Sequence, residues 1–416
     1  MKNGILPVWL LLALVLAMGC TGDRPPASPQ PADDSQATPE GVSGLIGSNT
    51  QFALAAYSEL KADGENLFIS PWSISTALAM AYEGARGETA EEMLGVFHFP
   101  EDDTARRSSF ASLYNRLNAE GKAYKLHTAN ALWAQQDYKF LDGYLTTVES
   151  YYGGKATNVD FLRETEKSRI TINTWVEGQT NNKIKDLFPE GTITPDTSFV
   201  LTNAVYFKGD WLKQFDKADT RDEDFRVSPY KTVKVPMMKL TGEEANFKYT
   251  ETDDLQILEM PYVGEQLSML VLLPKDGDIS ALENSLSLEK LSEWRAKLQA
   301  EDVDVYLPKF TFETKYDLTN SLISMGMPTA FSPAKADFSG MDGTRNLYIG
   351  IVLHQAYIDV NEEGTEVAAA TGVAMKFTGF PMPPKIFRAD HPFLFIIQET
   401  ETGNIIFIGK VADPTA

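Results

Sequence analysis

Residues 362–384 read EEGTEVAAATGVAMKFTGFPMPP. Thr365, Val367, Ala369, Thr371, Val373 and Met375 share one parity and are small or apolar. Glu366, Ala368, Ala370, Gly372, Ala374 and Lys376 make up the other, which is the two-faced alternation of a strand. A permanent sheet strand gains from β-branched and aromatic side chains, and this stretch has few. On composition alone it is a flexible linker or a poor strand. Small side chains are also what a segment needs if it must slide between two strands already in place. The chain around it decides between these readings.

On the C-terminal side, Phe393–Ile397 and Ile405–Ile408 form two short apolar strands around the turn Glu401-Thr402-Gly403-Asn404. Upstream, Leu267–Leu273 is an apolar strand ended by Pro274, and Phe199–Phe207 is a β-rich run without clean alternation, which reads as a strand buried on both faces. Helical patterns come earlier. Gln51–Lys61 is amphipathic, Ile170–Lys185 reads as a further helix, and Ser70-Pro71 supplies an N-cap and a first-turn proline for a helix through Ile74, Ala77, Leu78 and Tyr82. Helices mainly early and strands mainly late make the class α+β, with large and mostly antiparallel sheets. No internal repeat is present.

The 416 residues are 43% hydrophobic, enough for a large core, and carry a formal net charge of -21. A field of that sign repels phosphate backbones and anionic lipid, so nucleic acid is not an expected partner. One cysteine excludes a disulfide framework and a cysteine-rich zinc module. The four histidines, His98, His127, His354 and His391, lack metal-ligand spacing, so neither metal nor cofactor is expected. There is no GxSxG elbow, HExxH, P-loop or GxGxxG after a strand. The acidic pairs Asp102-Asp103 and Asp253-Asp254 read as solvated loop charges, and His354 and His391 as satisfied core residues. An enzyme is therefore not expected.

The N-terminus carries an address. Lys2 precedes an apolar run, Ile5–Met18, of signal-peptide length and too short for a comfortable membrane span. It ends in Leu16-Ala17-Met18-Gly19-Cys20, which resembles a bacterial lipobox, with Ala17 where leucine is usual. Residues 1–19 are then a lipoprotein signal peptide and Cys20 the lipid attachment site. Residues 20–43, interrupted by Pro25, Pro26, Pro29, Pro31 and Pro39, form a disordered tether, and 44–416 the folded domain. The expected location is the cell envelope, at the outer membrane or cell surface, with secretion if the lipobox is not used.

Six motifs occur in order along the chain: Asn66–Ser73 (NLFISPWS), Asn173–Val176 (NTWV) with Asn182–Pro189 (NKIKDLFP), Thr202–Trp211 (TNAVYFKGDW), Leu307–Phe310 (LPKF), Tyr316–Leu318 (YDL) and Phe387–Phe395 (FRADHPFLF). Their order and spacing resemble the serpin family over about residues 45–414, essentially the whole folded part. The resemblance implies N-terminal helices, three β-sheets including a large five-stranded main sheet, and an exposed reactive-centre loop. It also implies a monomer that acts as a suicide substrate. A target serine protease attacks the loop and is held as a covalent acyl-enzyme while the cleaved loop inserts as a new central strand. Fourteen inserted residues would carry it about 45 Å. The native state of such a fold is a kinetic trap.

Under this resemblance the hinge is Glu362, Gly364, Thr365, Glu366, Val367, Ala368, Ala369 and Ala370, with Val367 where the family prefers alanine. Ser70, Ser73, Asn203 and His354 map to the shutter, a buried polar cluster where strands part, and Trp211 to the breach, where the loop enters. Family spacing puts the reactive bond at Thr378-Gly379, suited to an elastase-like protease. Phe377 as the P1 residue would suit a chymotrypsin-like enzyme and Lys376 a trypsin-like one. The alternative function is a non-inhibitory serpin that acts as a surface binding or carrier protein.

Overall fold

The computed structural model describes residues 31–119, 121–365 and 383–416. Helices lead: α1 (Pro39–Leu60), then, after β1 (Leu67–Ile69), α2 (Pro71–Tyr82), α3 (Gly87–Phe97) and α4 (Asp103–Asn118). Next come β2 (Tyr124–Gln135), α5 (Asp142–Tyr152), β3 (Lys155–Val159) and α6 (Thr165–Gln179). Strands then dominate, with β4 (Phe199–Asp210), β5 (Arg221–Ser228), β6 (Lys231–Leu240), β7 (Asn246–Glu251), β8 (Leu255–Pro261) and β9 (Leu267–Pro274). The short helices α7 (Ile279–Ser285) and α8 (Leu288–Lys297) precede β10 (Gln299–Pro308) and β11 (Phe310–Asp317). After α9 (Thr319–Met325) and α10 (Ser339–Asp342) follow β12 (Ile349–Val360), β13 (Gly364–Thr365), β14 (Lys385–Arg388), β15 (Phe393–Glu399) and β16 (Ile405–Val411).

The main sheet has the order β11-β12-β13-β4-β2-β3. Five of these are full strands, and β13 contributes two residues at one end. The expected second and third sheets are continuous, because β10 changes partner along its length. Its first half pairs with β7, and its second half pairs with β6 on one side and β14 on the other. Pairing is antiparallel except at β12–β4, β2–β3 and β10–β14.

The two faces of the main sheet are covered differently. Ser70 caps α2, its hydroxyl accepting from the Ser73 N–H, and Pro71 sits in the first turn. Pro71 through Ala81 are all buried, so α2 is a core helix sandwiched between the main sheet and β16. On the opposite face, Ile172 and Val176 of α6 pack with Ala129, Ala131, Trp133, Val200, Ala204 and Leu353 of β2, β4 and β12.

Three expected boundaries are corrected. The helix read at 51–61 begins at Pro39, where Thr38 accepts from the Gly41 N–H. Gly41 lowers helix propensity, yet a Cβ there would meet Ser109 Oγ of α4 at 3.0 Å, so close packing is what its small size permits. The described part of the 20–43 stretch is therefore attached chain, not tether. Ala32 is 7% exposed and held at both backbone groups by the Asn115 amide, at 2.7 and 2.9 Å, while the Asp33 N–H donates to Ser150 O at 2.7 Å. The helix read at 170–185 runs from Thr165 to Gln179, because Asn181 and Asn182 adopt left-handed conformations (φ 53° and 58°) that turn the chain back onto the sheet.

Candidate functional site: a hinge at a parallel seam

β12 and β4 run parallel and pair directly from Ile349↔Phe199 to Tyr357↔Tyr206. Beyond Tyr357 the two strands diverge, and β13 occupies the wedge between them. Thr365 pairs with Val360 of β12 and with Gly209 of β4, antiparallel to both, and Gly364 pairs with Asp210. A tight reversal returns the chain from β12 into the wedge, closed by Asn361 N–H to Gly364 O (2.9 Å) and Gly364 N–H to Asn361 O (3.3 Å).

The segment after β4 receives this reversal. The Trp211 N–H donates to Glu363 O (2.8 Å), the Phe215 N–H to Glu362 O (2.9 Å) and the Trp211 indole to Asn361 O (3.0 Å). Trp211 is 1% exposed and stacked on Tyr262, with ring centroids 4.6 Å apart. The Tyr262 hydroxyl lies 3.0 Å from the Thr365 hydroxyl, and Thr365 is fully buried. A hydroxyl this deep is tolerated because it is paired. Gly364 fits for two reasons: its φ is +154°, and a Cβ there would lie 2.2 Å from Gly209 O.

Charges brace the same reversal. The buried Glu362 carboxylate accepts from Lys309 Nζ (2.8 Å) and from the Thr220 hydroxyl (2.8 Å), and Glu363 pairs with Lys217. Burial pushes the Glu362 pKa up, but hydrogen bonds from Lys309, its own backbone and Thr220 hold it below the usual carboxylate value.

Further along the seam, one polar row crosses the sheet. Asn130, Asn203 and His354 are register partners on β2, β4 and β12. Asn203 donates to Asn130 Oδ1 (2.7 Å) and to Ser73 Oγ (2.8 Å), and Ser73 Oγ lies 3.0 Å from Asn130 Oδ1. His354 Nδ1 meets Asn203 Oδ1, while His354 Nε2 accepts from the Ser70 N–H (3.1 Å). One ring nitrogen therefore donates and the other accepts, which is the neutral imidazole. Full burial, partly opposed by the Asn203 contact, pushes the His354 pKa down to about 3. The Ser70 hydroxyl donates to Ile406 O (2.7 Å), joining the row to the strand layer below.

Ser70, Ser73, Asn203 and His354 thus form one cluster, and Glu362, Gly364, Thr365 and Trp211 a second one further along the same seam. Glu366, Val367, Ala368, Ala369, Ala370, Lys376, Phe377, Thr378, Gly379 and Cys20 lie outside the described residues. Sequence reading missed Asn130, Tyr262, Thr220 and Lys309. Asn130 carried a signal, as the one polar residue within the run Ala129–Ala134 of β2, whereas the other three become partners only through long-range contacts. His391 is satisfied by Asp390 Oδ1 (2.8 Å) and Pro274 O (2.6 Å). Among the described residues no three of His, Cys, Asp and Glu converge as a metal site requires, and no helix is long and apolar enough to cross a membrane.

This architecture has known counterparts. A family model described as serpin (serine protease inhibitor) matches residues 47–414. An uncharacterized serpin-like protein of Thermococcus kodakarensis is 44% identical, with 100% of this chain and 99% of the relative covered. Leukocyte elastase inhibitor A of Mus musculus is 41% identical over 89% of this chain and 99% of its own length. Among solved structures, human thyroxine-binding globulin complexed with thyroxine superposes with a TM-score of 0.81 at 30% identity, covering 90% of this chain and all of that one. A match over nearly the whole folded part, in sequence and in fold, shows that this chain belongs to the serpin family.

Proposed function

We propose that this protein is a suicide inhibitor of serine proteases that takes its own cleaved loop into the β12–β4 seam. The observation that carries the reading is β13. Two residues already sit between two parallel strands, antiparallel to both, and the strands ahead of them are closed on each other. A parallel pair is the kind of seam that a strand returning from β12 can enter, because the entering strand makes two antiparallel ladders from one parallel one.

Carried forward, the register of β13 sums to 574 with β4 and to 725 with β12. Position 371 then falls on Asn203 and His354 together, and β4 continues to accept partners as far as position 375, opposite Phe199. Ten residues beyond Thr365 would span about 33 Å. Ten additional backbone hydrogen bonds at roughly 0.5–1.5 kcal/mol net each would stabilise the inserted form by about 5–15 kcal/mol. The small residues of this stretch suit that passage. In the inserted form Thr371 would replace the Asn203–His354 contact with its hydroxyl.

The reactive bond in this reading is Thr378-Gly379, and Phe377 and Lys376 are the neighbouring P1 positions. The name of the murine elastase inhibitor among the relatives supports a small S1 pocket in the target. We further propose export, lipid attachment at Cys20 and action as a monomer at the cell envelope, with the target protease as partner.

The test is incubation of the mature chain from Thr21 onward, without lipid, with pancreatic elastase, chymotrypsin and trypsin. A covalent complex that survives denaturation, with release of a peptide beginning at Gly379, is the expected result. A peptide beginning at Thr378 or Phe377 moves the P1 residue. Cleavage by all three without a complex, and without a gain in thermal stability, would overturn the inhibitory reading in favour of a carrier. Fractionation that finds the processed protein in the cytosol would overturn the envelope location.

A further inference from the structure

Tyr206 and Tyr357 form the last closed rung of the seam ahead of the β13 tip. Their rings lie 6.4 Å apart on the face covered by α6 and the chain after it. The left-handed pair Asn181-Asn182 turns that chain down, buries Ile184, and carries Lys183 over the rung. Its ammonium stands 5.8 Å from the Tyr206 centroid and 5.5 Å from that of Tyr357. One cation thus faces two rings, one on each strand of the parting pair, within the range where ring quadrupoles attract it.

We propose that Lys183 is a positioning residue that sets the rate of loop insertion, as a cation–π clamp favouring the closed rung over the parted one. The proposal rests on the insertion reading above. Parting the rung by one strand adds about 4.8 Å between the rings. An ammonium at its present height would then stand about 7 Å from each centroid, beyond the roughly 6 Å limit of the interaction. The clamp therefore rewards only the closed seam, and its loss lowers the barrier to the first step of entry. Position 368, which the register assigns to this rung, is alanine. The chain thus brings little bulk to the rung that Lys183 covers.

The experiment follows uptake of a synthetic peptide with the sequence of residues 365–375, by native gel and by the gain in melting temperature. It requires no target protease. Lys183→Gln is expected to take up the peptide about threefold to tenfold faster than the parent chain, the span of one or two exposed cation–π contacts. Lys183→Arg, which keeps the charge, should stay close to the parent rate. Tyr357→Leu should accelerate uptake alone and add nothing in the Lys183→Gln background, a coupling that simple loosening of the covering chain would not produce. Equal rates for the parent and Lys183→Gln, or accelerations that multiply in the double variant, would overturn the clamp. If the parent chain takes up no peptide and gains no stability on loop cleavage, the insertion reading itself fails and the clamp falls with it.

Discussion

His354 makes the closed seam sensitive to acid, and the size of the effect follows from its surroundings. The ring is fully buried, its two hydrogen-bond partners are the neutral groups Ser70 N–H and Asn203 Oδ1, and burial holds its pKa at about 3. In the unfolded chain the value is the ordinary one, about 6.5. A histidine depressed in the folded state contributes stability that is complete above pH 6.5 and is lost as pH falls toward 3. Over the two units from pH 6.5 to 4.5, at 1.36 kcal/mol per unit, the loss is about 3 kcal/mol. A proton arriving at Nε2 would point at the Ser70 N–H, so the Asn203–Ser70 link through the ring breaks where β4 and β12 meet. The assay is the first urea transition by tryptophan fluorescence at pH 7.0, 6.0, 5.0 and 4.5, for the parent chain and for His354→Gln. Glutamine offers one donor and one acceptor but does not titrate. The parent midpoint should fall by about 1 M more than that of the variant, for a slope near 3 kcal/mol/M. Parallel pH profiles for the two, or a His354 ring proton that titrates with a midpoint above about 5 by NMR, would refute the reasoning.

Thr365→Arg places a cation where a fully buried hydroxyl now meets Tyr262, and an unpaired buried charge costs several kcal/mol. The variant should be cleaved by the target enzyme yet leave no covalent complex on a denaturing gel. Gly364→Ala puts a Cβ against Gly209 O at a φ of +154°, and should lower the melting temperature through a loss of about 1–3 kcal/mol. Lys309→Ala leaves the Glu362 carboxylate with Thr220 as its remaining side-chain donor. The half-exposed lysine puts the cost near the low end, about 1 kcal/mol, and Glu362→Gln in the same background should recover part of it in a urea titration.

Much of this was legible from local pattern. Ser70 and Pro71 announce the start of α2, because capping chemistry depends on neighbours in the chain. The β-rich run of β4, which lacks clean alternation, announced a strand covered on both faces, as it is by α2 and α6. The boundaries of α1 and α6 were lost for opposite reasons. Three glycines between residues 41 and 47 disguised the first half of α1, where packing against α4 overrides propensity. The reading of 170–185 as one helix ran α6 past the point where two left-handed asparagines end it. At the site, Glu362, Gly364 and Thr365 stood out through the family resemblance, since composition alone made their stretch a linker or a poor strand. Their partners did not, since Tyr262, Lys309 and Thr220 lie 50 or more positions away in the chain and are ordinary until the fold brings them to Thr365 and Glu362.

The Asn115 amide that grips Ala32 determines which part of the molecule a membrane would hold still. A chain anchored at Cys20 has twelve residues before that grip, a reach of at most about 42 Å. The grip belongs to α4, which leads into β2, and the next contact, at Ser150, belongs to α5, which leads into β3. Both lie on the β4-β2-β3 side of the seam. If the protein is anchored there and its seam parts as proposed, that side would be the stationary frame, and the β11-β12 side, from which the chain runs on to Thr365, would be the part that travels.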